Sequence, residues 1–227
     1  MAALSKPRWL ACANPHSLEV ARGDAAFREA LRAADLRVPD GVGMVLASRI
    51  LGGRVRRRVT GSDVFRGVNA ALDRRGGTSC FFLGSTGENL ARIRERMAAE
   101  FPGVRVAGTY APPFGEEFTP ADDDAMVAAV NAARPDVLWV GMTAPKQEKW
   151  IHRNLPRLEG VRFVGAVGAV FDFFTGRVKR SHPAFQRLGL EWLPRLLRQP
   201  RRLWRRNFVS NPRFLMRVVA SRLSRKR

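Results

Sequence analysis

The sequence predicts an α/β fold: a Rossmann-like, mainly parallel sheet with helices on both faces. Three observations point there. Short apolar runs recur at 79–83, 104–110, 137–140 and 161–167, helical periodicity fills the gaps between them, and glycine-bearing turns close the runs at Gly84, Gly141 and Gly168. The 227 residues are 45% hydrophobic, enough for one core of ordinary domain size plus an appendage.

Each element follows in order. Residues 9–13 read as a buried strand ending at Asn14-Pro15-His16-Ser17. A helix comes next, with Asp24 near its start and Phe27, Ala30, Leu31 and Ala34 on one face. The run Leu36-Arg37-Val38-Pro39 ends at Asp40, and Gly41 and Gly43 allow a tight turn into a helix over 44–51. Thr60-Gly61-Ser62-Asp63 opens another helix carrying Val64, Val68, Ala71 and Leu72. Strand 79–83 ends in Gly84-Ser85-Thr86-Gly87, helix 90–101 follows, and strand 104–110 leads to helix 121–133, opened by Asp122-Asp123-Asp124. Strand 137–140 runs into Gly141-Met142-Thr143-Ala144-Pro145-Lys146-Gln147-Glu148-Lys149, and strand 161–167 into Gly168-Ala169-Val170-Phe171-Asp172. Beyond Gly176 only helical spacing remains, with Asn211-Pro212 reading as an N-cap and first-turn proline. The division expected is a catalytic α/β domain over 1–180 and an arginine-rich amphipathic appendage over 184–227.

Charge is lopsided. Lys and Arg number 40 against 20 acids, a net of +20. Residues 177–227 hold 16 of the bases and one acid, Glu191. Such an excess calls for an anionic partner: nucleic acid, anionic lipid or a phosphorylated substrate. Cys12 and Cys80 make no disulfide framework, and no CxxC or histidine cluster offers a metal site. No apolar run is long enough to span a bilayer, and the stretch after Lys6 and Arg8 is too short for a signal-peptide core. A cytoplasmic protein with reduced thiols is expected.

Chemistry is expected at the strand-to-helix turns, where open α/β sheets bind ligands. Asp40 at such a turn can serve as a general base or cap the next helix. Asp122-Asp123-Asp124 contains the DxD pattern that can hold a divalent metal, but Thr119-Pro120 before it marks first-turn acids that suit the helix dipole.

Taken together, Asn14, Val38-Pro39-Asp40-Gly41, Thr60-Gly61-Ser62-Asp63, Phe82-Leu83-Gly84, Ala144-Pro145-Lys146-Gln147-Glu148, Phe171-Asp172-Phe173 and Gly189-Leu190-Glu191-Trp192-Leu193 with Arg195 occur in an order that resembles the WecG/TagA/CpsF family of bacterial glycosyltransferases (glycosyltransferase family 26). The resemblance covers about residues 10–223. It implies inverting transfer of a hexose-type sugar from a UDP-sugar to a sugar on a polyprenyl diphosphate, in making surface polysaccharide. The sugars in range are N-acetylmannosamine, N-acetylmannosaminuronic acid and glucose. No metal and no other cofactor is implied, and the place of work is the inner face of the cytoplasmic membrane.

By that resemblance Asp40 is the base and Asn14 hydrogen-bonds a sugar. Cys12 stands where a threonine is expected, which removes one hydroxyl contact to the sugar. Gln147 contacts the nucleotide-sugar and Glu148 orders it. Asp172 accepts from the ribose or uracil. Thr60, Gly61, Ser62 and Asp63 shape the donor pocket, although Ser62 and Asp63 read equally well as a helix cap. The departing diphosphate is met by N–H groups at Gly84 and Ser85 and by Arg195, Arg202 and Arg205 brought over the active site. Trp192, Leu196, Trp204, Phe208, Phe214 and Leu215 among the arginines give a basic amphipathic surface suited to anionic lipid. His16 is close enough to Asn14 to be a candidate; His152 and His182 read as structural.

Two other readings compete. A nucleic-acid-binding protein fits the basic, aromatic-bearing tail, but no such motif is present and the excess lies at one end, so no nucleic acid is expected as partner. A nicotinamide enzyme rests on Gly41-Val42-Gly43 and Gly165-Ala166-Val167-Gly168, both lacking the third glycine. Oligomeric state is left open, a homo-oligomer included.

Overall fold

Continuous apolar strands are what a parallel sheet buried on both faces requires, and the central strands have that character, while the two edge strands are partly exposed. The computed structural model describes residues 6–115, 117–178, 196 and 204–224. In chain order the elements are β1 (Arg8–Ala13), α1 (Pro15–Gly23), α2 (Ala25–Ala33), β2 (Leu36–Pro39), α3 (Val42–Ile50), α4 (Gly61–Arg75), β3 (Thr78–Gly84), α5 (Gly87–Glu100) and β4 (Val104–Tyr110). They continue with α6 (Pro120–Ala133), β5 (Val137–Gly141), α7 (Lys146–Asn154), β6 (Phe163–Ala166), α8 (Val170–Phe174) and α9 (Asn211–Ser224). All six strands lie parallel in one sheet, in the order β2-β1-β6-β5-β3-β4, the Rossmann-like arrangement expected from the sequence.

The chain forms two compact units. The first takes in residues 6–11, Glu29–Arg37 and Gly61–Val178. Its core is aromatic. Phe65 of α4 meets Trp139 of β5 and Phe174 of α8 edge-on, each with ring centres 5.0 Å apart. Phe82 of β3 meets Phe171 of α8 at 5.5 Å. Edge-to-face pairs of this kind add roughly 0.5–1.5 kcal/mol each beyond their burial. Together they fix α4 and α8 against the sheet.

The second unit comprises Cys12–Arg28, Val38–Thr60 and the described residues beyond 178. Phe214 and Val218 of α9 pack with Ala47, and Leu18, Met44, Ile50, Leu51 and Leu215 close around them. Two polar clasps join α9 and the turn before it to α1. His16 Nδ1 lies 2.9 Å from Ser210 Oγ, and Arg217 Nε is 3.6 Å from Glu19 Oε2.

The sequence reading misses one helix: α1 precedes the helix expected with Asp24 near its start, which is α2. Asn14 starts the first with a capping box to Ser17, and Asp24 starts the second by accepting from Phe27 N at 2.9 Å. Asp40 does not cap α3; the N-cap is Gly41, at φ +101, a conformation open to glycine. α9 begins at Asn211 with Pro212 in its first turn, as expected, but Asn211 is helical rather than an N-cap, because a π-helical turn over Arg205–Ser210 runs directly into it. A wide π turn upstream accommodates a proline that lacks the N–H and crowds the preceding turn.

Candidate active site

Within the first unit, topology selects the place. The connection after β3 leads to β4 on one side, whereas that after β5 leads to β6 on the other. The carboxyl ends of β3 and β5 therefore form the switch point, where such sheets bind ligands. Gly84 and Gly141 stand opposite each other there. A Cβ on Gly84 would fall 2.6 Å from Gly141 O, and one on Gly141 would fall 2.3 Å from the Phe171 ring. Gly84 also has φ +119 and Ser85 φ +64. Thr86 then caps α5, accepting from Asn89 N at 3.3 Å. A left-handed turn running into a 14-residue helix presents unpaired N–H groups and a positive dipole end, suited to a phosphate.

A polar network borders this turn. Asn89, 2% exposed, donates from Nδ2 to Ser85 Oγ (2.8 Å) and Asp172 Oδ1 (3.3 Å), while its Oδ1 accepts from Thr175 Oγ1 (2.7 Å). Asp172 is half-buried, with Arg177 Nη1 3.9 Å away. Asn89 was not among the residues read from the sequence. The only signal for it was a polar residue one turn into the helix that follows Gly84-Ser85.

Gln147 and Glu148 are in the first turn of α7, and both are buried. Gln147 Oε1 accepts from Met142 N at 3.3 Å and Gly168 N at 3.0 Å, and Gln147 Nε2 donates to Glu148 Oε1 at 2.8 Å. Burial pushes the Glu148 carboxyl up to about 7, against the hydrogen bond from Gln147. Lys146 beside them donates from Nζ to Gly115 O at 2.7 Å and lies 3.6 Å from the Phe118 ring centre. Burial holds its ammonium below the ordinary lysine value. Gly61 and Ser62, at the start of α4, are buried and Asp63 is exposed.

In the second unit the other candidates gather. Asp40 N donates to Ala13 O at 2.8 Å and Val59 N to Pro39 O at 3.0 Å. The backbone thereby brings the Asn14, Asp40 and Thr60 positions to one edge, with Cys12, half-buried, two residues back along β1. The Asn14 side chain spends its oxygen on Ser17 N (3.0 Å), which leaves its NH2 group as the donor for a ligand. His16 is held below its ordinary value, first by burial and then by Arg206 and Arg205. Arg205 thus stands near the first turn of α1; Arg195 and Arg202 lie outside the described residues.

The acid run 122–124 has structural partners. Asp122 completes the capping box with Thr119, and its carboxyl is lowered by those hydrogen bonds. Arg153 Nε pairs with buried Asp123 at 2.7 Å, and Arg157 pairs with Asp124. The first-turn reading of these acids holds.

Comparison with known proteins gives the family. The model of the glycosyl transferase WecG/TagA/CpsF family matches residues 1–227. A Bacillus spizizenii protein named N-acetylglucosaminyldiphosphoundecaprenol N-acetyl-beta-D-mannosaminyltransferase is 32% identical over 215 residues, 95% of this chain and 80% of the relative. A Bacillus subtilis protein of the same name is 28% identical over 214 residues, 94% and 79% respectively. A switch-point crevice floored by glycine, and a family match running the length of the chain, lead to one assignment: the chain belongs to the WecG/TagA/CpsF family of glycosyltransferases.

Proposed function

We propose that this glycosyltransferase moves N-acetylmannosamine from UDP to the sugar of an N-acetylglucosaminyl diphosphate carried on a polyprenyl lipid. The observation that carries this reading is the relative named for that acceptor and that sugar, matched over 95% of the chain.

The donor's diphosphate is taken by the Gly84-Ser85-Thr86 turn and the start of α5, whose N–H groups stabilise the charge that develops on the leaving UDP. Asp172, already oriented by Asn89, accepts from the ribose or uracil. In the transfer itself the acceptor hydroxyl attacks the anomeric carbon, a C–O bond forms, and the bond to UDP breaks with inversion. Asp40 takes the hydroxyl proton as the bond forms, and Asn14 donates to a sugar oxygen. Arg205, with Arg195 and Arg202, offsets diphosphate charge. No divalent metal is required in this scheme; the acids at 122–124 are engaged by Thr119, Arg153 and Arg157.

The acceptor lies in a membrane. No helix among the described residues is long and apolar enough to cross one. The end of the chain instead exposes Trp204, Phe208, Met216, Val219 and Leu223 among Arg205, Arg213 and Arg217, which suits an anionic bilayer surface.

The test is UDP release from a panel of UDP-sugars, with a short-chain N-acetylglucosaminyl diphospholipid as acceptor, with and without EDTA. UDP-N-acetylmannosamine is expected to give the highest turnover, unchanged by EDTA. Release only from UDP-glucose or the uronic acid would overturn the sugar assignment. A strict Mg²⁺ requirement would overturn the metal-free scheme.

A further inference from the structure

Two backbone N–H groups, those of Met142 and Gly168, converge on a single side-chain atom of Gln147. Two donors demand an acceptor, so that atom is the amide oxygen and the NH2 group points the other way. There it meets Glu148 Oε1 at 2.8 Å. Met142 belongs to the turn after β5, and Gly168 to the turn after β6. One oxygen therefore ties together the turns that follow two neighbouring strands, next to the Gly84–Gly141 floor. Gly168 lies against this amide at ordinary contact distance, and its φ of +57 favours glycine there.

An amide in the opposite orientation would aim its own N–H groups at two N–H donors. The two donors set the orientation, and Glu148 on the far side accepts from the NH2 group that it turns away from them. Its side chain is sealed, 1% exposed, and Oε2 has no partner among the described residues. A charge is poorly served in such a place. An oxygen that accepts one hydrogen bond is all the geometry uses, and a neutral acid supplies it as well as a carboxylate does.

We propose that Glu148 is a positioning residue for donor binding. By accepting from Gln147 Nε2, it anchors the buried amide whose single oxygen holds the β5–α7 and β6–α8 turns in place beside the crevice. The role needs an acceptor at position 148 and no negative charge. The donor part rests on the nucleotide reading given above; the holding of the two turns does not.

The experiment compares the unsubstituted chain with Glu148→Gln, Glu148→Leu and the exchanged pair Gln147→Glu with Glu148→Gln. The exchanged pair restores the pattern: a carboxylate takes both backbone N–H groups, and the new amide donates to its second oxygen. Hydrogen exchange at the Met142 and Gly168 amides reads the tie directly, and calorimetric titration with UDP reads the site. Glu148→Leu is expected to speed exchange at those two amides by tenfold or more, to weaken UDP binding by at least tenfold, and to raise the donor KM while the acceptor KM stays within threefold. Glu148→Gln, which keeps an acceptor for Gln147 Nε2, and the exchanged pair are expected to hold exchange at the two amides within threefold of the unsubstituted chain. The proposal is overturned if Glu148→Leu leaves amide rates and UDP affinity unchanged, or if Glu148→Gln falls as far as the leucine variant. Should Glu148→Leu fail to fold, the exchanged pair decides, and exchange at the Met142 and Gly168 amides tenfold faster there than in the unsubstituted chain overturns the proposal. Failure of the unsubstituted chain to bind UDP overturns the nucleotide reading and the donor role with it, while the amide rates still judge the tie.

Discussion

Gly84→Ala tests the floor of the crevice. Gly84 has φ +119, where a side chain is strained, and the new methyl would sit 2.6 Å from Gly141 O on the neighbouring strand. Backbone strain of this kind costs about 1–3 kcal/mol. The crowding adds roughly 1–3 kcal/mol, because β3 and β5 must part by several tenths of an ångström between packed neighbours. The sum, about 2–6 kcal/mol, is a large share of the ~5–15 kcal/mol that holds a typical domain together. Gly87→Ala is the matched control. No atom lies within 4 Å of its added methyl and its φ is ordinary, so alanine in α5 stabilises by up to about 1 kcal/mol. Urea unfolding of both variants, with UDP titration of each, reads the difference. The expected result is a midpoint lowered by roughly 1 M or more for Gly84→Ala, with UDP affinity down at least tenfold, against no loss of stability for Gly87→Ala. Equal midpoints and equal affinities would refute the close-approach argument and the crevice assignment built on it.

Other consequences are separable by pH and by lipid. Because the Glu148 carboxyl is pushed up to about 7 by burial, the folded chain keeps a proton that the unfolded chain releases above its ordinary value near 4.5. Stability from this group falls as the pH rises through that window, so Glu148→Gln is expected to flatten the slope and to be the more stable chain above pH 7. His16 acts in the opposite sense. Held below 6.5 by burial, Arg206 and Arg205, it lags the unfolded chain in taking up a proton. Acidification through 6.5 therefore weakens the second unit, and His16→Ala removes that dependence in urea midpoints measured from pH 5 to 8. Trp204→Ser with Phe208→Ser, at side chains 49% and 61% exposed, is expected to cut binding to phosphatidylglycerol vesicles severalfold without changing the unfolding midpoint. Unchanged flotation would remove these two rings from the membrane surface.

The sheet was legible because its central strands, β1, β3, β5 and β6, are largely buried and so read as short apolar runs between helical stretches. The glycine turns at Gly84, Gly141 and Gly168 marked the ends that matter. Local beginnings were less legible. Asp40 and Gly41 both favour helix starts, and which one caps α3 depends on the dihedral the turn imposes, here the positive φ of Gly41. Pro212 marked the start of α9, but nothing in the residues announces the π turn that runs into it. The candidate residues came from motifs, which place types of chemistry along the chain but not partners across it. Asn89 escaped because its importance lies in contacts with Ser85, Asp172 and Thr175, the last 86 residues away. Gln147 was expected against the nucleotide, but its hydrogen bonds to Met142, Gly168 and Glu148 come from residues up to 21 positions distant.

The proton-transfer role of Asp40 is tested most directly by single-turnover sugar transfer and UDP binding in Asp40→Asn. Its backbone bond to Ala13 does not depend on the side chain, so the fold is kept. The expected result is UDP affinity within threefold of the unsubstituted chain and a transfer rate lower by roughly 10²–10⁴, the usual contribution of a positioned base. A transfer rate within a few fold of the unsubstituted chain would contradict the mechanism.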